Sequence, residues 1–361
     1  MKIALIAPLV APLREPQMGG AQALLADLAI GLSARGHQVL VYASSGSVIP
    51  GVSVVDTGID ATRLLASRVA IEKREPETEL EDEGAVEAAF AGIFSDLRRR
   101  GFDLAHNHAF DAPAIRLSAS LSIPVVHTLH MTPAAEIAEA LFSSARVGRR
   151  PAVACVSRAS ARDWSRLINV DAVLSNGIPV ARIPWSASPG EGAVFAGRFS
   201  PEKGAAEAIA IARAAAIPLA LYGEAYDPAY AREKIEPFRG ISGITLHPAA
   251  SRARLWEIMR HAAVLLCPSN WEEPFGLAPA EAQAAGTPVV GFRRGGLPEV
   301  VEDGVTGFLT PPGDIAAAAR AVAQIGALSR AVCRRHAETK LDMPACLHAH
   351  ERLYARLVDK R

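Results

Sequence analysis

Two short stretches carry residues whose types and spacing could do chemistry. In "AGRFSPEKGAAEAIAIA", Arg198 ends an apolar run of strand length and Lys203 follows five residues later, with Ser200 and Pro201 between them. A serine cap and a proline in the first helical position predict a helix beginning at Pro201, with Lys203 in its first turn. A lysine there opposes the partial positive charge of the helix N-terminus. Arginine by bidentate hydrogen bonds, lysine as a point charge and free backbone N–H groups would together suit a diphosphate. The plainer reading of the same two residues is a surface lysine and a strand-end arginine in a salt bridge, an interaction that is common and weak.

The second stretch, "WEEPFGLAPAEAQAAGTPVVGF", places Glu273 and Glu281 on either side of seven uncharged residues. A carboxylate beside an apolar turn loses hydration unless something binds it. Pro274 and Gly276 break regular structure, and "LAPAEAQAAG" has the composition of a short helix closed at Gly286, with Pro279 tolerated only in its first turn. Glu273 therefore precedes the helix and Glu281 lies within it. A carboxylate accepts two hydrogen bonds from vicinal hydroxyls such as those of a neutral sugar, each charged bond being worth roughly 1.5 to 3 kcal/mol. One acid favouring the helix dipole and one solvated acid would give the same spacing.

Gly19 and Gly20 fall between a strand and a helix start. Missing side chains there let backbone approach a phosphate, or simply make a tight turn. The motif is not G-x-G-x-x-G, so a dinucleotide fingerprint is not met. His106 and His108 end one apolar run, "AHNHAFDAP", and His127 and His130 end another, "VVHTLHM". Alternation puts His106 and His108 on one face. A neutral imidazole at a strand end can orient a hydroxyl. The pairs could also ligate a metal, but neither their spacing nor any nearby acid cluster is a zinc signature.

These residues need a frame to hold them. At 361 residues the chain exceeds the size at which one core stops growing, which predicts two domains. Apolar runs alternate with amphipathic segments of helical length, the pattern of parallel α/β units. The first half reads as the strands "KIALIA", "QVLVYA", "FDLAHNH", "PVVHTLH" and "AVACVS", with a helix after Gly19 and Gly20. "EKREPETELEDE", Glu72 to Glu83, reads as a solvated loop or helix start, and Ser175 to Gly192, rich in Pro, Gly and Ser, as a linker. The strand pattern then restarts with "AVFAGRF", "LALYG", "GITLHP", "AVLLCP" and "PVVGF". In open α/β sheets ligands settle at the carboxyl ends of strands, where each polar cluster above falls.

Composition narrows the partners. Lys and Arg number 38 and Asp and Glu number 38, so there is no global basic field for nucleic acid or acidic lipid. The cysteines at 155, 267, 333 and 346 form no C-x-x-C pair, which argues against a disulfide framework or thiolate zinc site. The first apolar run is too short for a signal peptide or spanning helix, so a reduced cytoplasmic setting without stable membrane insertion is expected.

In order, "GRFSPEKG", "EEPFGLAPAE" and "GTPVVGFRRGGLPEVVEDGVTGFL" resemble the nucleotide-sugar domain of family-4 retaining glycosyltransferases of the GT-B fold. The first half resembles them more loosely, through "GGAQALLADLAIGLSARGHQVLVYAS" and "SNGIPV". The resemblance implies an α/β fold of two Rossmann-like, doubly wound parallel-sheet domains facing across a cleft. An acceptor-side domain over residues 1–178 and a nucleotide-sugar domain over 190–343 are expected, with a final helix, about 344–361, packing back on the first. It implies that Arg198 and Lys203 hold the donor diphosphate, that Glu273 meets hydroxyls of the transferred sugar and that Glu281 meets the nucleoside ribose. Backbone N–H groups at Phe275, Gly276 and Leu277 would point to the donor's sugar and phosphates, and the Gly19–Gly20 loop would face the donor. A histidine at the position of His108 stands beside the reacting sugar in similar enzymes, and His130 is a second, acceptor-side candidate. The implied catalytic set is thus His108, Glu273, Arg198 and Lys203.

No metal and no cofactor are expected: no D-x-D acids stand near a strand end, and Arg198 and Lys203 would neutralise the leaving diphosphate. No carboxylate is an obvious nucleophile, which points to front-side displacement. The expected partners are a nucleoside-diphosphate sugar, UDP favoured over GDP or dTDP, and the hydroxyl of a soluble small molecule or saccharide. Two alternatives share the architecture: a nucleotide-sugar 2-epimerase and a non-catalytic nucleotide-sugar-binding subunit.

Overall fold

The computed structural model describes residues 1–65, 79–147 and 150–359. The chain divides into two compact units, Met1–Ser175 with Cys346–Arg361, and Asn176–Ala345.

The first unit is built on seven parallel strands: β1 Lys2–Ile6, β2 Gln38–Ala43, β3 Ser53–Asp56, β4 Leu104–Asn107, β5 Val125–Leu129, β6 Ala152–Cys155 and β7 Ala172–Val173, in the order β3-β2-β1-β4-β5-β6-β7. Helices cover both faces of the sheet, so β4, β5 and β6 are buried at every residue, including the polar His106, Asn107, His127 and Thr128. The helix Gly20–Ala34 buries Leu24, Leu25, Leu28 and Leu32 at the spacing that the sequence shows. The final helix, Met343–Val358, contributes Leu347, which lies so close to Gly31 that a Cβ there would come within 2.6 Å of its Cδ1. Glu351 on the same helix bridges Arg35 and His37.

The second unit holds six parallel strands: β8 Ala193–Ala196, β9 Leu219–Tyr222, β10 Ile244–His247, β11 Val264–Cys267, β12 Val289–Phe292 and β13 Gly307–Thr310, in the order β10-β9-β8-β11-β12-β13. In both sheets the order reverses once beside the first strand: β1 and β4 in the first unit, and β8 and β11 in the second, are paired side by side, and it is the connections leaving them that part. At such a point the loops leaving the two strands run to opposite faces and open a crevice at their carboxyl ends.

The two Rossmann-like parallel sheets match the expected architecture. Three edge or near-edge strands, β3, β7 and β13, were not anticipated; they have at most four residues each. Of the polar run Glu72–Glu83, residues 72–78 lie outside the described residues and the remainder begins the helix Glu79–Arg100. The helix expected to start at Pro201 begins instead at Ala205. Pro201–Lys203 is a separate 3₁₀ turn, Ser200 makes no capping bond, and Gly204 takes a left-handed conformation with φ +75°. The cause is crowding. A Cβ at Gly204 would collide with the Pro268 carbonyl oxygen, so the chain must kink there to pass the loop after β11.

Candidate functional site

Where the connections leaving β8 and β11 part, the structure brings Lys203 and Glu273 together. The Lys203 Nζ donates to Glu273 Oε2 at 2.8 Å and to Oε1 at 3.1 Å. Trp271 Nε1 donates to Oε2 at 2.9 Å and Ser269 Oγ at 3.3 Å. The Glu273 side chain is 13% exposed. Burial would push its carboxyl pKa up, but the Lys203 charge and the hydrogen bonds from Lys203, Trp271 and Ser269 outweigh this and hold it below the ordinary value. The ammonium also lies 4.8 Å from the centre of the Trp271 ring. Arg198, on the turn after β8, stacks its guanidinium 4.1 Å from the Tyr226 ring centre and bonds Glu202 at 3.3 Å.

The loop carrying Glu273 is held by backbone. Gly296 N–H donates to the Glu273 carbonyl at 2.7 Å, and Gly295 N–H donates to the Glu272 carboxylate at 2.8 Å. A Cβ at Gly295, which sits at φ +53°, would overlap the Glu273 backbone. The "RRGG" loop after β12 and the "EEPFG" loop after β11 are therefore a single packed layer. Phe275 is buried, Gly276 sits at φ +106°, and the helix Leu277–Ala284 begins with no capping side chain on its N–H groups. Glu281, inside that helix, is 5% exposed, and Arg252 donates to its Oε1 through Nε at 2.9 Å and Nη2 at 2.7 Å.

In the first unit, Gly19 and Gly20 open the helix that follows β1, again without a capping side chain. A Cβ at Gly19 would meet only the end of the Gln22 side chain. His108 follows β4, its N–H donating to the Ile6 carbonyl of β1 at 2.9 Å. His108 belongs to a packed histidine cluster. Its ring centre is 4.0 Å from that of His106 and 5.1 Å from that of His130, and its Nδ1 lies 2.9 Å from His130 Nε2. His106 is taken up by Tyr354 Oη at 2.6 Å and Thr128 Oγ1 at 2.7 Å, and its ring centre is 5.6 Å from that of His350. His127 sits between Asn107 Nδ2 and Ser118 Oγ, each at 3.0 Å.

Burial, reinforced by neighbouring rings, drives the pKa values of His106 and His108 well below the ordinary value. Burial lowers those of His127 and His130 to about 3, His350 adding to the shift at His130, and lowers that of His350 to about 4. All five rings are therefore neutral at neutral pH. Buried His108 Nε2 has no hydrogen-bond partner among the described residues. No group of three or more ligating side chains converges as a metal site among those residues.

Sequence reasoning missed Trp271, Ser269, Tyr226 and Arg252. Trp271 stood inside the quoted stretch, two residues before Glu273, and an indole N–H is a donor that a buried carboxylate needs. Arg252 could not be found that way, since 29 residues separate it from Glu281.

The fold agrees with what the chain is similar to. Residues 18–182 match the family described as Glycosyltransferase Family 4, and residues 187–338 match Glycosyl transferases group 1. The chain belongs to the glycosyltransferases of the GT-B fold. It is 30% identical over 254 residues to the glycogen synthase of Mycobacterium tuberculosis, an overlap of 61% of this chain and 59% of that protein. It is 45% identical over 91 residues to the D-inositol 3-phosphate glycosyltransferase of Streptomyces griseus, 25% of this chain and 19% of that protein. The matches thus span less than two thirds of either relative. Among solved structures, sucrose-phosphate synthase from Thermosynechococcus elongatus aligns with a TM-score of 0.78 at 20% identity over 100% of both chains. Anabaena HepE in complex with UDP and glucose aligns at 0.74 and 21% identity over 98% of this chain and 99% of that one. Among the described residues no single helix is long and apolar enough to cross a membrane.

Proposed function

We propose that the protein transfers a sugar from a nucleoside diphosphate, UDP in preference to GDP or dTDP, to the hydroxyl of a soluble small molecule or saccharide, with retention of configuration. The observation that carries this reading is the Lys203–Glu273 pair where the connections leaving β8 and β11 part. A cation and a carboxylate in contact at a strand-end crevice supply the two kinds of group that an activated sugar presents a need for: charge for the diphosphate, acceptors for the hydroxyls.

Lys203 and Arg198 hold the diphosphate and stabilise the charge that grows on it as the bond to the anomeric carbon breaks. Glu273, kept ionised by its partners, accepts hydrogen bonds from hydroxyls of the transferred sugar. N–H groups at Phe275, Gly276 and Leu277 add donors to donor oxygens. His108 offers its neutral imidazole Nε2 to a substrate hydroxyl, and His130, bonded to Nδ1, fixes which nitrogen carries the proton. The acceptor oxygen attacks from the face that the diphosphate leaves, and its proton passes to the departing phosphate oxygen. The charge of Arg198 and Lys203 stands in for a divalent cation, and no resident cofactor takes part.

The test is incubation with UDP-, GDP- and dTDP-sugars, following thermal shift, nucleotide release and, by NMR, the anomeric configuration of the product, each with and without EDTA. Similarity to GT-B structures that include a UDP complex supports the order of trial. Failure of every sugar nucleotide to bind or be consumed would overturn the reading. Release of an epimerised free sugar would reassign the enzyme to the epimerase class.

A further inference from the structure

Arg252, the partner of Glu281, has no place in the readings above. Arg252 is the first residue of the helix Arg252–His261, which follows β10, and Glu281 lies in the helix after β11. Both are buried, at 9% and 5% exposure, and two guanidinium nitrogens converge on one carboxylate oxygen. The guanidinium is also fixed from the side, 5.1 Å from the centre of the buried Trp256 ring. Around Glu281 the helix buries Pro279, Ala280, Ala282 and Ala284, and its one other buried polar residue, Gln283, donates to the backbone carbonyls of Pro279 and Val300.

A buried ion pair in such surroundings is a poor way to gain stability. Desolvation of both charges commonly equals or exceeds their attraction, and well-packed apolar side chains would serve the fold as well. What the pair does supply is orientation: a planar fork holds a carboxylate in one rotamer and keeps it ionised, which a single point charge does less well. We propose that Arg252 is a positioning residue that holds Glu281 for the two ribose hydroxyls of the donor nucleotide, and so sets a preference for ribonucleotides over 2′-deoxyribonucleotides. This rests on the reading of Glu281 as the ribose ligand. A carboxylate accepts from a vicinal diol as a unit, and removal of the 2′-hydroxyl leaves one of those bonds unmade.

The experiment measures calorimetric Kd values for UDP, ADP and GDP, each against its 2′-deoxy counterpart, in the wild-type protein and in Glu281→Gln, Arg252→Gln and Arg252→Lys. The wild type should bind its preferred ribonucleotide about 10- to 100-fold more tightly than the deoxy form, the ratio that one charged hydrogen bond corresponds to. Glu281→Gln and Arg252→Gln should each collapse that ratio toward one, and Arg252→Lys should recover part of it. Arg252→Lys retains the charge and so remains informative if Arg252→Gln does not fold. A wild-type ratio in a folded Arg252→Gln or Arg252→Lys, with Glu281→Gln collapsed, would overturn the role of Arg252 alone. A wild-type ratio in Glu281→Gln, or no ribose preference in the wild-type protein, would overturn the ribose reading itself.

Discussion

Mild acid should unfold the first unit before the second. The perturbation is a drop from pH 7.5 to 5.0, and the cause is the histidine cluster around β4 and β5. His127 and His130 have pKa values near 3 and His350 one near 4, against about 6.5 in an unfolded chain. The sign follows from proton uptake. Between pH 6.5 and about 4 the unfolded state binds protons that the folded state refuses, so stability present above pH 6.5 is lost as pH falls through that window. At pH 5.0 each of these three rings costs about 2 kcal/mol, roughly 6 kcal/mol together, and His106 and His108 act in the same direction. That is a large part of an ordinary folding free energy. Asp96, Glu273 and Glu351 do not contribute in this range. Burial opposes their ionisation, but charge and hydrogen-bond partners hold their pKa values below the ordinary one, so their stabilisation is lost only at lower pH. Urea unfolding followed by circular dichroism at the two pH values should show the midpoint falling by about 1 M or more. Hydrogen exchange should place the loss within the first unit, Met1–Ser175 with Cys346–Arg361. Equal midpoints, or a loss confined to the second unit, would refute the claim that these rings stay neutral because they are buried.

Three substitutions test the second unit. Lys203→Ala removes the largest counter-charge from Glu273 and one charge from the phosphate clamp; calorimetry should show binding of free UDP weakened at least tenfold, equivalent to about 1.4 kcal/mol. Glu273→Ala should reduce sugar transfer by two orders of magnitude or more while the circular dichroism spectrum stays that of the parent, and turnover at the parental rate would remove Glu273 from the site. Gly204→Ala forces a Cβ against the Pro268 carbonyl at a left-handed φ and should lower stability by about 2 kcal/mol or more in urea titration; an unchanged midpoint would mean that the kink is not imposed by that contact.

Much of this was legible in the residues themselves. "QVLVYA" is β2 to the residue, and the apolar runs of the second half place β8 to β12 with their ends trimmed by one to three residues. Long helices and doubly buried strands announce themselves by period and composition. The edge strands do not: β7 has two residues, and β13 hides in "VTGFLT", whose glycine and threonines read as a turn. The Lys203 turn was misread for a different reason. Ser200, Pro201 and Lys203 obey the local rules for a helix start, and what overrides them is the carbonyl of Pro268, more than sixty residues away. The same limit applies to the partners of the two glutamates. An isolated acid in a sequence signals that a partner is needed, but only the folded sheet shows that Lys203 serves Glu273 and Arg252 serves Glu281.

The hold of Lys203 on Glu273 makes the two groups understudies for a sugar nucleotide. On the proposed reading, an incoming diphosphate draws the ammonium toward itself and weakens two of the carboxylate's hydrogen bonds, a deficit that the hydroxyls of an attached hexose can make good. A nucleotide stripped of its sugar leaves that deficit standing, so the same contact that organises the resting protein would help to expel the by-product once transfer is done.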